Sequence, residues 1–501
     1  MLSLLLAIPA VGALLVGFFP GNLEAKKLRQ ITELFAVLTL IWSLLLLFKF
    51  DLGNADFQFQ EYWTWIPQLG LSYSLGIDGL SLPLIILNGL LTGVAIYSIG
   101  PNLDRSRLYY ALILLINAGI SGALMANNLL LFIIFYELEL IPFYLMIAIW
   151  GGEKRGYASM KFLLYTAFSG LLVLAAFLGI GLLGGNGSFD YSPQITDSFS
   201  DSAKLILLTL ILVGFGIKIP LVPLHTWLPD AYTEASPATA ILLGGILAKL
   251  GAYGVIRFGL QLFPQTWVQI APILAIIGTI TVLYGALSAI AQKDIKRMVA
   301  YSSIGHMGYI LVAAAAGTEL SVLGSVAQMV SHGLILALLF HLVGIVERKA
   351  ETRNLDILNG LMNPIRGLPL TSALLITAGM ASAGIPGLVG FAAEFIVFQG
   401  SFTTFPIPTL LCILASGLTA VYFVILLNRT CFGKLDNQRA YYPKVVAAEM
   451  IPALVLTSII FFLGIQPNYL VKWIEPTTDQ MIAGFAMSEQ VAEVETPTIF
   501  Q

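Results

Sequence analysis

Four ionisable side chains stand in segments that otherwise hold almost nothing but apolar residues. Lys218 lies in LILLTLILVGFGIKIPLVPL (205–224) and Lys249 in ILLGGILAKLGAYGVI (241–256). Glu137 lies in LLLFIIFYELELIPFYLMI (129–147) and Glu394 in GLVGFAAEFIVF (387–398). An ionisable group in a membrane-spanning helix costs at least a few kcal/mol, so it persists where it is paired, reaches water or titrates as part of its work. Amines and carboxylates placed this way point to charge movement across a membrane. Two histidines extend the set, His306 in YSSIGHMGYI and His332 in AQMVSHGLIL. Imidazole titrates near neutral pH. A lone buried histidine is commonly a hydrogen-bonded packing residue, but two beside buried Lys and Glu read as relay groups.

Weighed singly, these residues leave some roles open. Glu137 and Glu139 are two apart, about 200° around a helix, and do not share a face. Glu137 is the one expected to face the bundle interior and to pair with Lys218. Glu139 is either a second relay group or a structural partner. Lys218 and Lys249 have a plainer alternative as members of static ion pairs. His225, just past LVPL, reads as a gate or a cap near a surface. His332 and His341 are nine apart, on opposite helix faces, which argues against a bis-histidine haem site on that helix.

The elements that must position these groups follow from composition. Hydrophobic residues make up 58% of the 501 and charged residues 11%, against about 25% charged in an ordinary soluble domain. Spans of about 20 apolar residues cross a bilayer. Fourteen are expected, near 1–20, 32–50, 79–99, 107–126, 128–150, 160–184, 204–223, 237–260, 269–291, 298–317, 321–346, 370–399, 407–431 and 449–466. The first has its basic cluster (Lys26, Lys27, Arg29) after it rather than before it, so it reads as a retained helix and not a cleaved signal. Most of the 25 Lys and Arg fall in the loops after spans 1, 3, 5, 9, 11 and 13, including Lys154, Lys293, Arg348, Arg429 and Arg439. The positive-inside rule then places those loops in the cytoplasm and both termini on the other side. The loops 51–78 and 185–203 read as polar outer connections, and 475–501 as an acidic tail.

Two spans are interrupted beside a buried charge. Pro220 and Pro223 follow Lys218, and Pro386 and Gly387 precede Glu394. Proline inside a helix removes a backbone bond. Membrane helices tolerate that where the freed groups meet protein or a wet cavity. Paired broken helices suggest inverted repeats; a plainer reading makes the prolines packing kinks. The expected organisation is 1–106 (spans 1–3), 107–262 (spans 4–8, a first five-helix repeat), 263–434 (spans 9–13, a second, inverted repeat) and 435–501 (span 14 and a polar tail). An odd number of crossings per unit forces opposite orientation.

Several chemistries find no support. Net charge is −3, with no basic face for nucleic acid. Cys412 and Cys431 form no CxxC and read as packing residues. No cysteine cluster for iron–sulfur, no GxGxxG after a strand and no phosphate loop occurs. Any electron transfer belongs to another chain.

The stretch IKIPLVPLHTWLPDAYTEASPATAILLGGILAKLGAYGVIRF (217–258) closely resembles the antiporter-like membrane subunits of respiratory and photosynthetic complex I, which are similar to large subunits of multisubunit sodium/proton antiporters. FYELELIPFYLMIAIWGG (135–152), KDIKRMVAYSSIGHMGYI (293–310) and AAEF (392–395) match as well, and the resemblance covers roughly 75–465. Glutamate rather than lysine at 394, the ELEL run and the length are similar to the chain 4 type of cyanobacterial and plastid NAD(P)H-quinone oxidoreductases. Ser236 departs from the commoner alanine before proline. The resemblance implies an all-α polytopic fold of about fourteen helices and proton translocation driven by quinone reduction elsewhere in an assembly. It implies that Glu137, Lys218, Lys249 and Glu394 are the key ionisable groups, with His306 and His332 between the last two. NAD(P)H or ferredoxin, iron–sulfur clusters and plastoquinone would reside in partner subunits, beside neighbouring antiporter-like subunits and lipid in a thylakoid membrane. The alternatives are a sodium/proton antiporter subunit without redox coupling and a passive membrane scaffold.

Overall fold

A computed structural model describes residues 1–18, 24–100, 103–185, 187–435 and 442–483. Arg439 and most of the acidic tail lie outside the described residues. The chain is a bundle of helices in which each expected span coincides with a helix or a helix pair. Among the described residues ten are long and apolar enough to cross a bilayer: α2 (Ala25–Lys49), α4 (Ser106–Met125), the segment Leu129–Trp150, α7 (Arg155–Leu183), the segment Pro237–Leu260, α12 (Pro264–Ile290), α13 (Ile295–Ala316), α14 (Glu319–Ala350), α17 (Pro406–Thr430) and α18 (Ala447–Ile465). Shorter helices carry the other four spans. These are α1 (Leu2–Phe18), α3 (Leu82–Tyr97), α8 (Asp201–Lys218) and the pair α15 (Pro369–Ser382) and α16 (Val389–Phe402).

Outer helices keep one face open. α7 exposes Leu164, Phe168, Leu171 and Leu182, which are lipid-facing positions. Inner helices are enclosed all round, as α14 is along nearly its whole length, the pattern of an apolar helix in the core of a bundle. Close crossings use small residues, which let membrane helices approach. α12 and α13 meet where a Cβ on Gly308 would come within 2.7 Å of the Gly278 carbonyl, and this crossing fixes the helix that carries His306.

Three interruptions set the fold apart from a plain bundle. The segment Leu129–Trp150 divides into α5 (Leu129–Leu138) and α6 (Leu140–Trp150), with Glu139 at the joint. Pro142, four residues past Leu138, lacks the N–H that the Leu138 carbonyl needs. α8 stops at Lys218 ahead of Pro220, and the chain resumes as α9 (Trp227–Glu234). α15 stops at Ser382 ahead of Pro386. Spans 4–8 and 9–13 thus each carry a broken helix as their fourth member. The segment Pro237–Leu260 is α10 (Pro237–Leu242) and α11 (Ala248–Gly254), joined and followed by π turns over Leu243–Leu247 and Val255–Leu260.

One expectation needs correction. Residues 51–78 are not a plain polar loop. β1 (Gln58–Ile66) and β2 (Leu71–Ile77) pair antiparallel, with Trp63 opposite Tyr73. The turn closes at Gly70, whose φ of 63° suits glycine. Alternating aromatic and β-branched residues in QFQEYWTWI favour a strand. Leu71, Leu75 and Ile77 of β2 are buried and tie the hairpin to the bundle.

Candidate functional site

The break at Pro220 assembles the first cluster. Leu221 N–H donates to the Gly216 carbonyl at 2.9 Å, and the Trp227 indole donates to the Ile217 carbonyl at 2.8 Å. Carbonyls freed by the break are therefore satisfied inside the protein, as a membrane interior demands. Lys218, at the last turn of α8, is 3% exposed. Its Nζ donates to Glu139 Oε1 in a buried ion pair, and the Tyr136 ring centroid lies 3.3 Å from the same nitrogen. A Cβ on Gly251 would come within 3.1 Å of Lys218 Cβ, so the missing side chain lets α11 lie against α8 at the lysine.

The expected pairing of Lys218 with Glu137 is corrected here. Glu139, 1% exposed, is the direct partner. Glu137 is half-buried, with its carboxylate against Gly170 of α7. It reaches Lys218 electrostatically without touching it. The joint at Glu139 is the physical reason, because the interrupted helix turns the second glutamate inward. The signal was Pro142.

Lys249 is fully buried on α11. Its Nζ donates to the carbonyl of Gly244, within the π turn that precedes it. A π turn loosens the i→i−4 ladder, and such turns recur at functional sites. Among the described residues no carboxylate stands within ion-pair distance of Lys249. Its helix approaches α14 closely, since a Cβ on Gly333 would sit 2.7 Å from the Gly245 carbonyl. His332 is the residue before Gly333 on α14.

The second cluster surrounds His332. Its ring stacks on His306, with centroids 5.1 Å apart and planes 5° apart. Among the described residues, neither ring nitrogen of His332 has a hydrogen-bond partner, and the same holds for Ser303 Oγ, Gln328 Oε1 and Ser331 Oγ. These lie within one helical turn of the stacked rings. Buried polar atoms are nearly always satisfied by protein or ordered water, so these atoms are sites for water contacts. His306 is fully engaged. Nδ1 faces the Ser302 carbonyl at 2.8 Å, and Nε2 faces the Ser382 carbonyl at 3.1 Å and Glu394 Oε1 at 3.5 Å. Pro386 leaves Ser382 without its helical N–H, and the imidazole takes that place. Both ring nitrogens face acceptors, the arrangement of a ring able to carry two protons.

Glu394 completes the row at 4% exposure. Ser416 Oγ donates to its Oε2 at 2.9 Å. Gly384, at φ 68°, leaves the space this oxygen occupies; a Cβ there would stand 2.7 Å from it. His225 is apart from both clusters. It is buried past the first break, its ring edge-on to Tyr284 at 4.6 Å. Nearby, Asp230 of α9 accepts from Lys161 at 2.8 Å and Arg297 at 3.0 Å.

Sequence reasoning missed the Tyr136 ring over Lys218, the polar lining at Ser303, Gln328 and Ser331, the Ser416 contact, and a second buried pair, Arg257 with Asp78. The arginine was visible at the end of an apolar run, but nothing local pointed to an aspartate so far back in the chain. Cys412 and Cys431 are buried thiols.

Comparisons with known proteins agree with this architecture. Residues 126–419 match a family described as NADH:quinone oxidoreductase/Mrp antiporter, TM. The chain is 40% identical over 458 residues to NAD(P)H-quinone oxidoreductase chain 4 of Prochlorococcus marinus, covering 89% of this chain and 85% of that protein. It is 36% identical over 498 residues to NAD(P)H-quinone oxidoreductase chain 4 1 of a Nostoc species, covering 96% and 91%. Among solved structures, a chain of respiratory complex I from Thermus thermophilus with bound NADH superposes with a TM-score of 0.87 at 26% identity, covering 97% of this chain and all of that one. A chain of the Mrp complex from a Dietzia species superposes with a TM-score of 0.84 at 20% identity over 98% of each, a likeness of fold.

Proposed function

The chain belongs to the NADH:quinone oxidoreductase/Mrp antiporter transmembrane family, and from that premise we infer that it is the proton-translocating membrane subunit of a complex I-type NAD(P)H- or ferredoxin-driven quinone oxidoreductase. The observation that carries the reading is the row of buried ionisable groups, Glu139–Lys218, then Lys249, then His332, His306 and Glu394. In this reading Lys218 holds a proton while paired with Glu139. Opening the pair sends that proton across the Gly251 contact toward Lys249, and on past His332 and His306 to Glu394. Glu137, within electrostatic reach of Lys218, is the second acid of the first cluster. His225 and Asp230 lie on the side of the basic loops, where Lys218 would be reloaded.

Magnitudes allow it. Carrying one charge against roughly 200 mV costs about 4.6 kcal/mol. Removing one partner of a buried ion pair costs about 3–5 kcal/mol. Opening and reforming the Glu139–Lys218 pair therefore handles energy of the size a pumped proton requires.

Iron–sulfur clusters, the NAD(P)H or ferredoxin site and plastoquinone belong, in this reading, to partner subunits. Other membrane subunits, antiporter-like ones among them, and lipid are its neighbours. The setting is a cyanobacterial thylakoid membrane, with the basic loops cytoplasmic and both termini lumenal. Residues 107–262 and 263–434 act as the two proton-handling units. Lys218→Ala in the assembled complex is expected to lower the protons moved per quinone reduced while assembly persists. An unchanged ratio would remove Lys218 from the route. A purified complex that exchanges sodium for protons and lacks quinone reductase activity would favour the antiporter reading instead.

A further inference from the structure

We propose that the aromatic rings packed between Lys218 and the hairpin side of the first unit form a dry barrier that confines the Lys218 proton to the transverse row. The inference rests on the proton-carrying role given above to Lys218.

The molecule is hollowed on the hairpin side. A cavity of about 780 Å³ opens there between the 191–197 loop, the start of α8 and residues 477–483. Asp56, Gln194 and Lys204 stand at its walls, and Asp78 and Arg257 line its inner end. Arg257 is held on every side. It pairs with Asp78, donates from Nη1 to Gln261 at 2.9 Å and from Nε to the Tyr253 hydroxyl at 3.3 Å.

Beyond Arg257 the composition changes to aromatic. The guanidinium lies 5.7 Å from the Tyr191 ring. Tyr191 meets Phe258 at 6.0 Å, Phe258 meets Phe132 at 4.7 Å, and Phe132 meets Tyr136 at 5.4 Å. Tyr136 is the ring over Lys218 Nζ. Phe215 touches Phe132, Tyr136 and Phe258 from the side. Phe132, Phe215 and Phe258 are at most 1% exposed. Helical spacing builds this stack. Phe132 and Tyr136 are one turn apart on α5, between Asn128, which bonds Asp190 on the hairpin side, and Glu139. Eleven residues of helix span roughly 16 Å.

The contacts from Phe258 through Phe132 carry no hydrogen-bonding group; the Tyr253 hydroxyl beside them is bonded to Arg257 and the Leu124 carbonyl and not to Lys218. The Tyr136 hydroxyl is engaged sideways by Ser169 Oγ at 3.0 Å, and Ser169 donates to the Gly214 carbonyl. The Tyr191 hydroxyl turns back to the Arg257 carbonyl at 3.5 Å. Away from the stack, by contrast, Lys218 has a carboxylate partner in Glu139, and α11, which carries Lys249, lies close against it at Gly251. A layer of rings without hydrogen-bonding groups in line is costly for a charge to cross, so the proton moves sideways along the row and not straight out to the cavity.

The test uses the assembled complex in liposomes with an imposed pH gradient and no quinone turnover, read by a trapped pH-sensitive dye. Phe132→Leu, which keeps the layer filled, is expected to hold the gradient as the wild type does. Phe132→Ala is expected to dissipate it several-fold faster, and Phe132→Ala with Lys218→Ala to restore the wild-type rate. Phe258→Ala, judged by the same two arms, replaces Phe132→Ala if that complex does not assemble. An assembled alanine variant with no faster decay would overturn the barrier, as would fast decay that persists without Lys218. Coupled pumping unchanged by Lys218→Ala alone would instead overturn the role of the lysine, a distinct result.

Discussion

The clusters at Lys218 and at His332 hold their buried polar groups differently. In the first, Lys218 is matched by Glu139, covered by Tyr136 and cut off from the hairpin side by packed rings. In the second, both ring nitrogens of His332, the Ser303 and Ser331 hydroxyls and Gln328 Oε1 have no hydrogen-bond partner among the described residues, while His306 and Glu394 beside them are bonded. A matched pair stores a proton because releasing it means breaking the pair. Where buried groups are joined through water, a proton passes on, because no single bond holds it. Lys249, bonded to a backbone carbonyl, stands between the two regimes.

That contrast breaks most visibly at the pair. Glu139→Gln leaves Lys218 buried and unmatched at a cost of about 3–5 kcal/mol, and is expected to collapse the proton-to-quinone ratio. Glu137→Gln is expected to lower it less, since that carboxylate does not touch the lysine. Equal effects in a side-by-side ratio measurement would erase the distinction between the two acids.

A smaller effect is expected in the second unit from Gly384→Ala. The substitution forces alanine to φ 68°, a strain of about 1–3 kcal/mol, and drives a Cβ into the space of Glu394 Oε2. The complex should assemble and pump slowly. Wild-type pumping rates would show that Glu394 need not be held against Ser416.

The smallest effect belongs to an ion pair outside the membrane. A hydrogen bond from Lys293, with Arg429 alongside, holds the exposed Asp356 carboxyl below its usual 3.8. A depressed carboxylate value means stability present above the unfolded value and lost as pH falls through the folded one. Asp356→Asn should therefore matter little near neutral pH, and the difference from wild type in thermal denaturation should vanish on strong acidification. High salt should shrink it as well. A large loss at neutral pH would show that surface and buried pairs count alike here.

Most of this architecture could be read in the sequence. Apolar spans, prolines and the basic-loop pattern reveal helix number and the two breaks beside Lys218 and Glu394, because a bilayer leaves the backbone few choices. Residues near one another along the chain, such as Lys218 and Pro220, could be judged together. Partnerships between distant spans could not. The choice of Glu139 over Glu137 depended on a helix joint created by Pro142, and regular helical geometry hid it. The hairpin was obscured because its strands alternate aromatic and polar residues in a segment short of apolar run. The pairing of Arg257 with Asp78 and the stacking of His306 on His332 arise from how helices dock, which no local pattern reports.

The central claim is that buried, protonatable groups form one hydrated row across the bundle. A high-resolution electron-microscopy map of the assembled complex tests it most directly. The expected result is ordered water bridging Lys249 to His332 and contacting Ser303, Gln328 and Ser331, with Glu139 on Lys218. Dry apolar packing between Lys249 and His332, or these side chains turned to lipid, would contradict the account.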